Sequence, residues 1–212
     1  MLERSILIVD DNKRIEDIYI PSYRSEIEQL AKGTKWEDYS FSFIHKQSMK
    51  EAIDYLSDVN NCVDVLVVDY DFGVEKTFED GAAFVSFVRG NINRFCQIVF
   101  YTMHGINNIE KSDLIDLVNS DVYKLVDKAS DSNSLSSIIF EAATRRNPIV
   151  ESLERFYIDH SAMLKTYKYT IFESEVTFEE IINHIRMDDS DGRLFVEKLL
   201  NKAVVQSIDV RR

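Results

Sequence analysis

The apolar run Ser5-Ile6-Leu7-Ile8-Val9 stops abruptly on two adjacent carboxylates, Asp10 and Asp11. A second run, Val63-Asp64-Val65-Leu66-Val67-Val68, also stops on an acid, Asp69. Short, continuous aliphatic runs that end on a polar residue are the pattern of buried parallel strands. Open α/β sheets do their chemistry in the crevice at the carboxyl ends of such strands. If these two strands are neighbours, three carboxylates meet in one small volume. Two unit charges about 4 Å apart repel by roughly 4 kcal/mol at an effective dielectric near 20. Such a group stays ionised beside a positive partner, and a hard divalent cation with oxygen ligands, Mg²⁺ above all, suits it.

Two further strand-like runs follow. Gln97-Ile98-Val99-Phe100-Tyr101-Thr102 ends on a hydroxyl, and Asp121-Val122-Tyr123-Lys124-Leu125-Val126-Asp127-Lys128 ends on an ammonium. Between the runs lie segments with helical spacing. Residues 12 to 31 carry Ile15, Ile18, Tyr19, Ile27 and Leu30, with Pro21 expected to kink or split the segment. Ser48-Met49-Lys50-Glu51 reads as a capping box opening a helix over Ile53, Tyr55 and Leu56. Gly81 to Arg89, Ile109 to Val118 and Leu135 to Ala143 supply three more helices, and Ser40 to His45 alternates as an outer strand. Strands alternating with helices imply a doubly wound, five-stranded parallel α/β sheet.

An acid pair, an acid, a hydroxyl and a lysine, each at a strand's end and in that order, resemble the receiver domain of two-component response regulators. The resemblance covers about residues 1 to 146 and implies the flavodoxin-like receiver fold. It implies that Asp69 accepts a phosphoryl group from a histidine kinase. It also implies that Asp11, Asp69 and the backbone carbonyl of Asp71 hold Mg²⁺, with Asp10 acting through water. Thr102 and Lys128 would then contact the phosphoryl oxygens. A carboxylate attacking a phosphoryl group approaches another anion, so the barrier is largely electrostatic and is lowered by nearby positive charge. Lysine suits this task as a compact point charge on a flexible stem. The acyl phosphate adds nearly two negative charges, and a Thr102 hydroxyl that turns to meet it can carry that change to the surface. The implied protein is a signalling protein rather than an enzyme, with self-phosphorylation from small phosphodonors and autodephosphorylation as side activities.

The chain departs from that pattern in places. The loop from Asp69 to Gly81 is long and lacks a proline, and Ala129 follows Lys128 where proline is usual. Leu125 stands where the family carries its switch aromatic, leaving Tyr101 and Tyr123 as substitutes. Met103 replaces a small residue and narrows access to the site, and His104 can influence attack by water or simply face solvent. A rival resemblance, to haloacid dehalogenase-like phosphohydrolases, makes Asp69 the nucleophile and Asp71 the general acid. That family keeps its last acidic pair after the lysine, whereas Asp10-Asp11 precedes everything. A pseudo-receiver scaffold would dispense with phosphate, but the complete residue set argues against it.

Asn147-Pro148 breaks the alternation. Residues 147 to 212 read as a helical output or interaction region without a strand. A long helix from Ile149 carries Leu153, Phe156, Tyr157, Met163 and Leu164. Thr177-Phe178-Glu179-Glu180 caps a second over Ile181, Ile182 and Ile185, and Leu194 to Val205 forms a third. The acidic turn from Asp188 to Gly192 fails the calcium-loop register and reads as a solvated loop. From residue 149 onward the tail holds 9 basic and 12 acidic residues, without the basic face of a DNA-reading helix.

With a net charge of −12, the chain argues against nucleic acid as a partner and for protein–protein output or self-association. Cys62 and Cys96 have no metal or redox spacing and suit reduced thiols of a cytoplasmic protein. The first strand begins within five residues, so no leader is expected. No apolar stretch approaches the ~18 residues needed to span a membrane.

Overall fold

The protein is described by a computed structural model over residues 2–58, 61–73, 77–92, 96–103, 105–127, 134–145, 148–166, 168–171, 174–187 and 189–209. Two compact units follow one another, Met1–Arg145 and Arg146–Arg212.

In the first unit, five parallel strands form one sheet: β1 (Leu2–Val9), β2 (Tyr39–Lys46), β3 (Val65–Asp69), β4 (Gln97–Thr102) and β5 (Lys124–Asp127). Their order is β2-β1-β3-β4-β5. The aliphatic runs are strands because both faces are covered: Ile6 to Val9, Val65 to Val68 and Ile98 to Tyr101 are essentially inaccessible. Leu7, Val9, Leu66, Val68, Ile98 and Phe100 join one core with α2 (Met49–Leu56), α3 (Gly81–Asn91) and α4 (Lys111–Asn119). The alternate residues of the same strands face α1 (Ile20–Ala31) and α5 (Leu135–Thr144), which pack on each other and on the sheet.

Local chemistry sets the helix boundaries. Pro21 lies in the first turn of α1, where its missing N–H costs nothing, and a π-helical turn at Ile15–Tyr19 precedes it. The expected split therefore falls just before the proline. Ser48 Oγ accepts from Glu51 N at 3.2 Å, but the Glu51 carboxylate accepts from Gln47 N, one residue earlier than in a reciprocal box. The Asp80 side chain accepts from Ala83 N at 2.8 Å and starts α3. Helix α4 starts at Lys111 rather than Ile109, after a short 3₁₀ turn at Ile106–Asn108.

The second unit departs from the all-helical expectation. Its long first helix is broken at His160 into α6 (Pro148–Asp159) and α7 (Ser161–Leu164), and the His160 ring stacks on Phe156. Lys168–Ile171 (β6) and Ser174–Thr177 (β7) then pair antiparallel as a β-hairpin. Four residues a side are too few to register a period of two, though Tyr169, Thr170, Ile171, Val176 and Thr177 are all strand formers. Helices α8 (Phe178–Met187) and α9 (Ser190–Asp209) complete the unit. Thr177 and Glu180 form the full reciprocal box before α8: Glu180 N donates to Thr177 Oγ1, and Thr177 N to the Glu180 carboxylate. The acidic turn is no idle loop. Asp189 accepts from Gly192 N at 2.8 Å, so it caps α9. Tyr157, Leu164, Phe178, Ile181, Ile182 and Ile185 are buried, with the Phe178 ring against those of Phe156, Tyr157 and Tyr169.

Candidate site at the carboxyl ends of the strands

Register brings the strand-end residues together. Val9 pairs with Val68, so Asp10, the next residue, stands level with Asp69 at the carboxyl edge. Asp69 pairs in turn with Tyr101, and Thr102 with Asp127. Asp10, Asp69 and Tyr101 thus share a row across three strands on the α1/α5 side, while Thr102 continues the opposite face. Asp10 and Thr102 are 1% exposed and Asp69 9%, while Asp11 and Asp71 are exposed. Lys128 and His104 lie outside the described residues.

Each acid has its own hydrogen-bond partners. Asp10 Oδ1 accepts from Asn12 N at 2.7 Å, and Asp10 Oδ2 accepts the hydroxyl of Tyr101. His45 Nε2 donates to the Asp10 carbonyl at 2.8 Å. Asp11 Oδ2 instead crosses to the loop after β3 and accepts from Gly73 N at 2.9 Å. A side chain at residue 73 would crowd it, since a Cβ there would stand 3.2 Å from that oxygen. Asp69 Oδ1 accepts from Tyr70 N at 2.8 Å.

The picture of three carboxylates packed against one another therefore needs correction. Among the described residues, no group of three or more His, Cys, Asp or Glu side chains is drawn together as a ready metal site. Asp10 Oδ2 is turned to Tyr101 and Asp11 Oδ2 to the 71–73 loop. The donors nevertheless fit a hard cation, because every candidate ligand (Asp11, Asp69, the Asp71 carbonyl) is an oxygen, and Asp11 already reaches the loop that carries Asp71.

The surroundings are tyrosine-rich. Burial pushes the Tyr101 hydroxyl well above its ordinary pKa, and the Asp10 and Asp69 charges and the bond to Asp10 push it the same way. Burial also raises Tyr23, to about 12, with contributions from Tyr19, Asp10 and Glu26. Tyr70, next to Asp69, donates to Asp113 Oδ2 of α4 at 3.0 Å and sets its ring edge-on to Phe100. Tyr123 is half-buried and donates to Glu141, whereas Leu125 packs on the core. Met103 is 59% exposed and stands in solvent. Cys96 is buried and Cys62 half-buried, and neither forms a disulfide; burial raises the Cys96 thiol to about 11. The Tyr101 and Tyr70 links were missed in the sequence because both residues look like ordinary strand-end aromatics. No helix among the described residues is long and apolar enough to cross a membrane.

No family model matches the chain, and no curated protein matches it. Solved structures do. A response regulator receiver domain protein from Clostridium thermocellum is 17% identical over 67% of this chain and 95% of its own, with a TM-score of 0.44. The Mn²⁺-bound form of response regulator Rcp1 is 16% identical over 68% and 99%, with a TM-score of 0.44. The Salmonella typhimurium response regulator RcsB, whose structure concerns DNA interaction, is 16% identical over 75% and 78%, with a TM-score of 0.39. At such identities and TM-scores the likeness carries no weight of its own. The strand order does: β2-β1-β3-β4-β5 with helices on both faces is the flavodoxin-like arrangement, whose switch point lies between β1 and β3. The described residues of 2–145 accordingly have the doubly wound, flavodoxin-like fold, followed in the chain by further helices and a hairpin.

Proposed function

We propose that the chain is a phosphorylation-dependent response regulator that takes a phosphoryl group from a histidine kinase onto Asp69. One observation carries the reading: Asp10 and Asp69 flank the β1/β3 switch point, with Thr102 on the next strand. A carboxylate oxygen of Asp69 attacks phosphorus as the P–N bond of phosphohistidine breaks. The bonding electrons return to the imidazole, and an acyl phosphate remains. Water later attacks the same phosphorus, releasing inorganic phosphate and restoring the Asp69 carboxylate. Thr102 donates its hydroxyl to a phosphoryl oxygen, and Lys128 supplies positive charge to another. Asp11, Asp69 and the Asp71 carbonyl would hold Mg²⁺, which when bound supplies neutralising charge, while Asp10 acts through water. Output runs through protein contacts of the 147–212 region, in keeping with its acidic balance and the net charge of −12.

Mass spectrometry after incubation with acetyl phosphate and Mg²⁺ tests the reading. One base-labile phosphoryl group is expected, on Asp69, and Asp69→Asn abolishes it. Labelling that persists in that variant defeats the assignment. Sustained turnover of a generic phosphate ester would instead favour a phosphohydrolase with Asp71 as general acid. A chain that neither labels nor turns over is a scaffold.

A further inference from the structure

The contact between Tyr101 and Asp10 calls for its own account. Tyr101 is fully buried on the sheet face formed by Ile8, Val67 and Val99, all inaccessible aliphatic residues. A hydroxyl placed in such a layer is costly unless it finds a partner. It finds Asp10, two strands away, by passing the end of β3 where Asp69 stands. The benefit is mutual. Asp10 is a carboxylate 1% exposed, and a buried charge needs donors. Asn12 N serves one oxygen and Tyr101 the other. Asp10 is further fixed through its main chain, since Asp10 N donates to the Lys46 carbonyl and His45 donates to the Asp10 carbonyl.

We propose that Tyr101 is a positioning residue that holds Asp10 in the metal-free protein, so that Asp10 must leave or share this bond to serve a bound divalent cation, which lowers the affinity for that cation. The inference rests on the metal set proposed above and adds a residue to it. A carboxylate oxygen that already accepts from a phenol has less charge to offer to a cation's water. Removing the hydroxyl therefore costs the metal-free state more than the metal-bound state, and affinity rises.

Calorimetric titration of the full chain with MgCl₂ provides the test. Tyr101→Phe is expected to tighten binding by about fivefold, the size of one modest hydrogen bond. Its unfolding temperature without Mg²⁺ should fall below that of the wild type, and the gap should close as Mg²⁺ is added. In an Asp10→Ala background the same change should leave the dissociation constant where it was, because the hydroxyl has lost its acceptor. A purely structural role for Tyr101 would lower the unfolding temperature equally at every Mg²⁺ concentration and leave the affinity unchanged or weaker; either result overturns the proposal. Asp11→Ala separates the two levels. If that variant binds Mg²⁺ as tightly as the wild type, the metal set itself is wrong and this inference falls with it. Should Tyr101→Phe fail to fold, the wild type still decides. Its ultraviolet Raman signature of a donating tyrosine should weaken on saturation with Mg²⁺, and an unchanged signature overturns the proposal.

Discussion

Gly81, the first residue of α3, stands against the main-chain carbonyl of Asp69: a Cβ at residue 81 would lie 2.2 Å from that oxygen and 3.1 Å from the Phe100 ring. Gly81 N also donates to the Tyr70 carbonyl at 3.1 Å. The amino end of the helix is thereby pressed onto the end of β3, and backbone cannot give way as a flexible side chain can. Gly81→Ala should therefore displace α3 or the strand end, at a cost of about 1–3 kcal/mol in chemical unfolding. Labelling of Asp69 by acetyl phosphate should slow in the same variant. A variant that keeps wild-type stability and labelling would show that the close approach is dispensable.

Tyr70, the residue after Asp69, is tied to α4 through its hydrogen bond to Asp113. Tyr70→Phe should cost about 0.5–1.5 kcal/mol. Amide hydrogen exchange should then rise at the start of α4, around Asp113. If exchange there is unaltered, the bond does not tie the helix down.

The tyrosines also set an alkaline limit. Burial, and after it the bond to Asp113, raise Tyr70 to about 12 from 10.0, while burial raises Tyr23 likewise to about 12. The folded state favours the neutral phenol, so the unfolded chain loses these protons first. The associated stability is whole below pH 10 and is lost as pH climbs from 10 to about 12. A tyrosinate absorbance titration should show these two groups ionising late, together with a falling unfolding temperature across that interval. Tyr101 should ionise only as the protein unfolds, because its hydroxyl is buried against Asp10 and beside Asp69. Ionisation of all ten tyrosines near pH 10 in the folded protein would contradict these environments.

The sheet was legible in the sequence because its strands are buried on both faces and so read as unbroken aliphatic runs ending at Asp10, Asp69 and Thr102. Pairing register was not legible. Nothing local to Tyr101 distinguishes a core tyrosine from one that reaches Asp10, ninety-one positions earlier in the chain. The separation of Asp10 from Asp11 was hidden for the same reason, since Asp11 is drawn off by Gly73 across the site. In the second unit, the hairpin at 168–177 was obscured by its brevity and by the helical periodicity on both sides. Asp189 looked like one of several loop acids, but the cap it makes depends on a helix starting at Ser190.

That turn yields a prediction for the second unit. A Cβ at Gly192 would stand 2.2 Å from the His184 carbonyl, so α9 can start close to α8 only without a side chain there. His184 meets Asp189 at 2.6 Å across the same turn. Gly192→Ala should loosen the α8–α9 pair by about 1–3 kcal/mol. Limited proteolysis should then cut near Asp189 sooner than in the wild type. Equal resistance in the two proteins would count against the tight turn.

Self-association through α9 is the most direct route to the proposed output. Leu200, Val204 and Ile208 recur every four residues and are 52%, 58% and 63% exposed. A stripe of that spacing on a helix seeks an apolar partner, and a second copy brings an identical stripe. Light scattering of the full chain should report a larger mass with beryllofluoride and Mg²⁺, which mimic the phosphoryl group, than without them. Val204→Glu should keep the protein at its smaller mass under both conditions, since a carboxylate in the middle of the stripe would have to be desolvated on association. The same variant should still accept phosphate on Asp69, because the change lies outside the first unit. An unchanged mass in the wild type on adding the mimic would remove self-association as the output. Tight, salt-sensitive binding of duplex DNA would replace it with a nucleic-acid output, against the expectation from a net charge of −12.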